Sequence, residues 1–268
     1  MTTIALCRED PLVNLVHDLF GANIVRVPDG RVQPLSVVVH QRGRSFFRGS
    51  LLPLLTDAQP LNLTPITSDV TDLSGRRSRR VTLDLGLTIL RGFLQGLGLP
   101  HAALTTSLEG AAFLSFAFPA VQRLALDINA LGATLAGRRI NRANPAAAML
   151  FDQPGYELLL VDSILTSSQI AIVLSGAKGE RLNIDIAALR QTLTELGGSV
   201  GATTDHSIEL TLTSEAVLTF AFACVRLTFD DEGTILAIPP DHTTRTLSDL
   251  APAQVRLSPR PGLLLWND

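Results

Sequence analysis

Residues 69–100 place two different periodicities back to back, and no other part of the chain limits the fold as strongly. They read DVTDLSGRRSRR and then VTLDLGLTILRGFLQGLGLP. Val81, Leu83, Leu85, Leu87 and Ile89 alternate with Thr82, Asp84, Gly86 and Thr88, the period of two of a strand with one apolar face. From Ile89 the spacing changes: Ile89, Leu90, Phe93, Leu94 and Leu97 recur at threes and fours. That spacing predicts a helix face, ended by Gly96, Gly98 and Pro100. Ahead of both, Arg76, Arg77, Arg79 and Arg80 crowd together beside Ser74, Gly75 and Ser78. A concentrated positive patch therefore precedes an amphipathic strand.

Composition narrows what such a stretch can belong to. With 268 residues the chain can bury a sizeable core, and it reads as one domain. Apolar residues make up 46% of it, yet polar residues or glycine interrupt every apolar run before the ~18 residues a transmembrane helix needs. The start, MTTIALCRED, lacks a basic leader region, which predicts a cytoplasmic protein. Cys7 and Cys224 are too few for a disulfide scaffold and fit a reducing compartment. A net charge of -3 argues against a nucleic-acid partner.

In chain order, Asp10 and Pro11 open a helix that carries Leu12, Leu15, Val16 and Leu19 and ends at Gly21. Pro28, Asp29 and Gly30 predict a turn joining strands at 24–27 and 35–39 into a small hairpin. Residues 42–49 read as polar and 56–67 as loop. Residues 111–127 are strand-rich with a bend at Pro119, and 128–136 are helical or loop-like. Two strands are expected at 156–161 and 169–174, joined by 162–168. A helix over 185–196 precedes strands at 208–212 and 217–229, a turn at 230–233 and a last strand at 234–238.

An internal echo links the halves. VTLDLGLTILRGFLQGLG resembles RLNIDIAALRQTLTELGG, and FLSFAFPAVQRLALD resembles VLTFAFACVRLTFDD, matching Asp84 to Asp185 and Phe116 to Phe220. A duplicated strand, helix, strand unit would give a mixed α+β domain with two related hairpins.

Catalytic chemistry is not signalled. His17, His40, His101, His206 and His242 are scattered without ligand spacing, which predicts no metal site. Nucleophile-elbow, Walker and dinucleotide motifs are missing. Asp205, His206 and Ser207 are adjacent, but neighbours in an extended segment face opposite ways, so a solvated turn is expected in place of a triad. The chain reads as a non-enzyme.

The sequence resembles the bacterial gasdermins. Cys7 ahead of a short helix, VRVPDGRVQPL at 25–35 and SGRRSRRVTLDLGLTILRGFLQGLG at 74–98 carry the resemblance, which covers nearly the full chain. It implies a single α+β domain with a twisted, mainly antiparallel sheet flanked by helices, closed by a short inhibitory C-terminal peptide and convertible to a transmembrane β-barrel. The implied domains are a pore-forming domain over 1–238, a protease-sensitive linker over 239–251 and an autoinhibitory peptide over 252–268. Also implied are an acyl chain, palmitoyl, on Cys7 and no other cofactor. The implied partners are an activating protease and membrane lipids. The protein would be an inactive cytoplasmic monomer that becomes a homo-oligomeric inner-membrane pore during antiphage defence.

The residues bear on several of these implications. Val81, Leu83, Leu85 and Leu87 alternate as lipid-facing residues must, with Asp84 toward a wet lumen. Inserting hairpins fall at 69–125 and 156–229, and the helices from Ile89 and Asp185 cover the apolar faces before insertion. Arg76, Arg77, Arg79 and Arg80 suit anionic headgroups. The proline-rich segment 239–262 has the composition of an exposed loop, with Arg245 the expected cleavage point and Leu247 the runner-up. Leu263, Leu264, Leu265 and Trp266 form a cluster too apolar for a free tail and suited to latching on a groove. The alternative is a binding or scaffold module in which the same strands merely form a core.

Overall fold

Two long antiparallel strands form the axis of the fold in the computed structural model, which describes residues 16, 20–25, 30–41, 44–70, 80–96, 102–108, 110–152, 155–177, 181–182, 184–195, 197–238 and 263–264. The strands are β1 (Asn23–Val25), β2 (Ser36–Gln41), β3 (Arg44–Ser50), β4 (Ile66–Asp69), β5 (Val81–Thr82), β6 (Phe113–Ala117), β7 (Gln122–Ala125), β8 (Glu157–Ser175), β9 (Gly198–Thr203), β10 (Ser207–Phe229), β11 (Ile235–Ala237) and β12 (Leu263–Leu264). The helices are α1 (Leu83–Gly96), α2 (Ala102–Ser107), α3 (Ile128–Leu135), α4 (Met149–Asp152) and α5 (Ile186–Glu195). The axial pair is β8, with 19 residues, and β10, with 23. At about 3.3 Å per residue β8 alone is about 60 Å long. The two pair from Leu158 with Leu227 at one end to Ser175 with Ser207 at the other.

The other strands line the outer edges of this pair. Along β8 lie β2, then β7, then β6. Along β10 lie β11, then β1, then β9. The path through the middle is β12-β1-β10-β8-β2-β3. The β1–β12 pair is parallel, and the remaining pairings among the described strands are antiparallel. The architecture is the expected α+β sheet with flanking helices.

Burial divides the sheet lengthwise. In the lower half both faces are covered. Leu158, Leu160, Val225 and Leu227 pack with α3 residues Leu131 and Leu135, while Leu159, Val161, Phe222 and Cys224 pack with Val25, Val32 and Val38. In the upper half one face packs against α1, α2 and α5. Two aspartates cap helices as such residues should. The Asp127 carboxylate accepts from the Asn129 and Ala130 amides at the start of α3, and Asp185 accepts from Ala187 and Ala188 at the start of α5. Of the first expected helix, Val16 and Phe20 are described and are helical.

Several expectations are corrected. The strand expected over 81–89 ends at Thr82, and α1 begins at Leu83, because Leu87, Leu90 and Leu94 can bury together only at helical spacing. The strands at 24–27 and 35–39 do not pair: β1 joins β10, and β2 joins β3 and β8. The polar stretch at 42–49 contains most of β3, whose Ser45 hydroxyl meets His40 Nδ1 at 2.9 Å across the hairpin. The expected pairs of strands at 156–161 and 169–174, and at 208–212 and 217–229, are each one strand. Polar side chains between them do not break a strand, since the ladder needs only backbone groups. Thr166 and Ser167 satisfy their hydroxyls on the Gln122 and Gln169 carbonyls. The echo partners Phe116 and Phe220 are not equivalent in the sheet: Phe116 faces Ile172, whereas Phe220 lies at a register shift between Thr219 and Ala221.

Candidate membrane-inserting sheet and its C-terminal edge strand

The upper half of the sheet is amphipathic across its width. Leu114 of β6, Leu174 of β8 and Ile208 of β10 form one cross-strand rung; Phe116, Ile172, Leu210 and, on β9, Val200 form a second. Ile170 and Leu212 form a third. Strand geometry puts these alternate residues on one face, and all of them belong to the cluster containing Leu90 and Leu94 of α1, Leu104 of α2 and Leu189 and Leu193 of α5. The intervening rungs are small or polar for the most part: Ser175 with Ser207, Val173 with Glu209, Ala171 with Thr211. One face thus needs an apolar cover and the other tolerates water. That is the pattern a barrel wall requires, lipid outside and wet lumen inside.

These rungs on β8 and β10 are the residues that sequence reasoning did not single out. Their signal was present as the alternation Ile170, Ile172, Leu174 and Ile208, Leu210, Leu212. The expected lipid-facing set lies beside them. Val81 is in β5, opposite Leu114; Leu83 packs at the margin of the helix-covered cluster, Leu87 is buried within it, and Leu85 lies on α1. The expected covers are in place, since α1 and α5 both pack on the apolar face. Arg80 is exposed next to β5. Arg76, Arg77, Arg79, Cys7, Arg245, Leu247, Leu265 and Trp266 lie outside the described residues.

The tail is described at two residues, and these form β12. Leu263 and Leu264 pair in parallel with Ile24 and Val25 of β1, which itself pairs with Phe222 and Ala221 of β10. The C-terminal strand therefore occupies the outer edge of the central sheet, two strands from β8.

The lower body is tied together by charge. Arg138 forks onto the Asp57 carboxylate through Nε and Nη2, and Nη2 also donates to the Gln59 carbonyl at 2.6 Å. The hydrogen bonds from Arg138 hold the Asp57 carboxyl below its ordinary range, and the same pairing raises Arg138. Asp230 is lowered chiefly by the Thr234 amide, which donates to it at 2.8 Å in the turn leading to β11. His40 is lowered by burial. Among the described residues no three His, Cys, Asp or Glu side chains assemble as a metal site, and no helix is long and apolar enough to cross a membrane.

Known proteins share this arrangement. Residues 25–234 match a family model described as Bacterial Gasdermin Family. A gasdermin from Vitiosangium sp. (strain GDMCC 1.1324) is 25% identical over 270 residues, covering 97% of this chain and 98% of the relative. One from Desulfuromonadales bacterium is 28% identical over 241 residues, covering 87% and 86%. The solved structure of a bacterial gasdermin from Bradyrhizobium tropiciagri shares the fold with a TM-score of 0.56 at 12% identity, over 86% of this chain and 91% of its own. With the greater part of its sequence matched by the family model, the chain belongs to the bacterial gasdermin family, a family of pore-forming proteins.

Proposed function

We propose that this protein is an autoinhibited pore-former, released when a protease cuts the linker at 239–251 and frees the peptide at 252–268. The observation that carries the reading is the seat of β12 on the edge of β1, one strand away from the axial strand β10. A sheet edge offers unpaired N–H and C=O groups to any strand that reaches it. While the chain is intact, the tether keeps the effective concentration of Leu263 and Leu264 high; once cut, the peptide can leave. Arg245 is the proposed cleavage point, with Leu247 second. Leu265 and Trp266 extend the latch, since each buried large apolar side chain contributes about 1.5–3 kcal/mol before ordering costs.

Insertion then requires longer strands than the structure contains above the middle of the sheet. β6 has five residues, whereas a tilted transmembrane strand needs about 9–11. Residues 81–89 can supply the deficit. They are helical from Leu83, yet alternate Val81, Leu83, Leu85, Leu87 in sequence, so unwinding the first turns of α1 would extend β5 beside β6 with those four residues toward lipid. The inserting hairpins fall within 69–125 and 156–229. Arg76, Arg77, Arg79 and Arg80 would meet anionic headgroups, each contributing about 1 kcal/mol. An acyl chain on Cys7, palmitoyl by resemblance, would assist insertion without anchoring the uncut protein, because one chain binds membranes only marginally. Removal of an acyl-sized mass increment by Cys7→Ala would support that part, and an unmodified natively expressed protein would refute it. The pore is a homo-oligomer in the inner membrane, the uncut protein a cytoplasmic monomer, and the outcome cell death in antiphage defence.

Dye-loaded anionic liposomes test the reading. The intact chain should leave them sealed, and the chain cut or truncated after Ile238 should empty them. Equal inertness of both forms would overturn it.

A further inference from the structure

At one level of the sheet the pairing along β8 changes on both sides, with a gap between its ladders to β6 and β7 and a register shift against β10. Between the rungs Ala117–Ala171 and Gln122–Thr166, residues 118–121 lie outside the two ladders with β8, and the Val121 carbonyl accepts from the Val70 amide. There Pro119 has no N–H to give, and Ala120 has a positive φ of 56°, a costly conformation for a residue with a Cβ. On β8, Ser167 turns inward on its own chain: its Oγ donates to the Gln169 carbonyl and accepts from the Gln169 amide. On β10, Thr213 faces Gln169 and Leu218 faces Ser167, so four residues of β10 stand against Ser168 alone. Such a bulge leaves backbone unpaired and bends the strand.

Side-chain facing also changes at this line. Above it the even-numbered Phe116, Ile170, Ile172 and Leu212 join the helix-covered cluster; below it the odd-numbered Val121, Leu165, Ala221 and Ala223 join that cluster, while Leu124, Ile164, Phe222 and Cys224 pack in the cluster with Val25 and Val38. A shift of one residue sends every later side chain to the opposite face. On β10 the change falls between Phe220, still in the helix-covered cluster, and Ala221, at the register shift opposite Thr166 and Leu165, so in all three strands it lies between the levels of Leu165 and Ala171. An inserted strand running straight through the line would therefore present its lumen face to lipid on one side of it. At the line Phe118 stacks on Phe220, with ring centroids 4.0 Å apart and planes 9° from parallel. At the same level of the sheet a groove of about 210 Å³ runs between Asp69, Gln122, Thr166, Ser168 and Val217, the last 55% exposed.

We infer that this transverse line is a hinge dividing the sheet into an upper body, consisting of β6, β9, the ends of β8 and β10 and their helices, that opens as one unit, and a lower body that stays folded while it does so. The existence of the hinge is independent of the proposed pore; only its purpose, releasing the inserting sheet from the part that remains outside the membrane, rests on that reading. Proteins open in contiguous cooperative units whose stabilities differ, and hydrogen exchange resolves them.

Native-state hydrogen exchange on the full, uncut chain tests the division without any membrane. Amides of 113–117, 170–175 and 207–213 should exchange together and at least tenfold faster than those of 158–165 and 221–227. A smooth gradient through 166–169, or β8 and β10 each exchanging end to end as a unit, would overturn the hinge. A second variant deletes residues 215–217, leaving one residue opposite Ser168 and removing the widest of the β8–β10 register shifts. The two bodies should then exchange alike, and leakage by the cut form should slow at least tenfold; unaltered leakage with a merged exchange boundary would refute the proposed purpose. Failure of the cut wild type to leak would sink the pore reading and leave the exchange result to decide the hinge.

Discussion

Leu94 and Leu159 offer a controlled comparison, because both are fully buried leucines on opposite sides of the dividing line. Leu94 is on α1 and grips the apolar face of the upper sheet; Leu159 is on β8 in the lower body, among Val38, Phe222 and Cys224. Truncation of a buried leucine to alanine costs about 2.7–5 kcal/mol, the transfer term plus the cavity left behind. Taking about 3 kcal/mol for each, Leu94→Ala and Leu159→Ala should lower global stability alike in urea unfolding. Their effects on pore formation should separate. The Leu94 contact exists before α1 lifts from the sheet and is lost afterwards, so its removal destabilises the starting state alone. At 1.4 kcal/mol per factor of ten, about 3 kcal/mol accelerates that release by up to about 100-fold. Leu159 keeps its neighbours throughout, so Leu159→Ala should leave the release step unchanged. Dye release from anionic liposomes by the cut proteins, with urea unfolding in parallel, gives both numbers. Equal acceleration by the two variants, or none by Leu94→Ala at matched loss of stability, would refute the idea that the helices are covers to be removed.

Leu85→Arg should abolish leakage in the cut form while Thr82→Arg leaves it intact, since an arginine toward lipid at the midplane costs about 2–4 kcal/mol and one toward the lumen much less; identical behaviour would mean that residues 81–89 do not extend β5. Replacing Leu264 and Trp266 with Asp should let the uncut protein leak without protease, and a stably folded, silent double variant would exclude the tail as the inhibitor. Gly233→Ala should lower the urea midpoint, because Gly233 has a φ of 87° and an added Cβ would lie 2.5 Å from the Ile140 carbonyl oxygen, a strain of order 1–3 kcal/mol. The Arg138 contact depresses the Asp57 pKa, so its contribution is full above the ordinary carboxylate value near ~3.9 and is lost as pH falls through the depressed one. The stability gap between wild type and Asp57→Asn should hold at neutral pH and close in that acid range; a gap unchanged at pH 2 would exclude the charge as its source.

Local chemistry was legible wherever one segment decided its own conformation. The helix expected over 185–196 forms as α5, Gly233 turns where residues 230–233 predict it, and the alternation at 113–117 is β6. It failed where distant segments chose. Residues 81–89 satisfy the period of a strand and most of the period of a helix, and nothing within them decides between the two. The decision comes from Leu104, Leu189 and the rungs of β8 and β10, which offer Leu87, Leu90 and Leu94 an apolar surface to bury on. Likewise the polar residues at 162–168 look like a connection until β7 and β10 supply backbone partners on both sides, after which polar side chains cost the strand little.

By itself, then, the sequence determined which segments are amphipathic, where the turn at 230–233 falls, and the family the chain resembles, because each depends on residue identity and short-range spacing. Tertiary structure alone decided that residues 83–88 join α1 and do not extend β5, that β12 borders β1, and that three strands shift their facing along one line. Those outcomes depend on which surfaces meet, and contacts between residues far apart in the chain leave no period in the sequence that makes them.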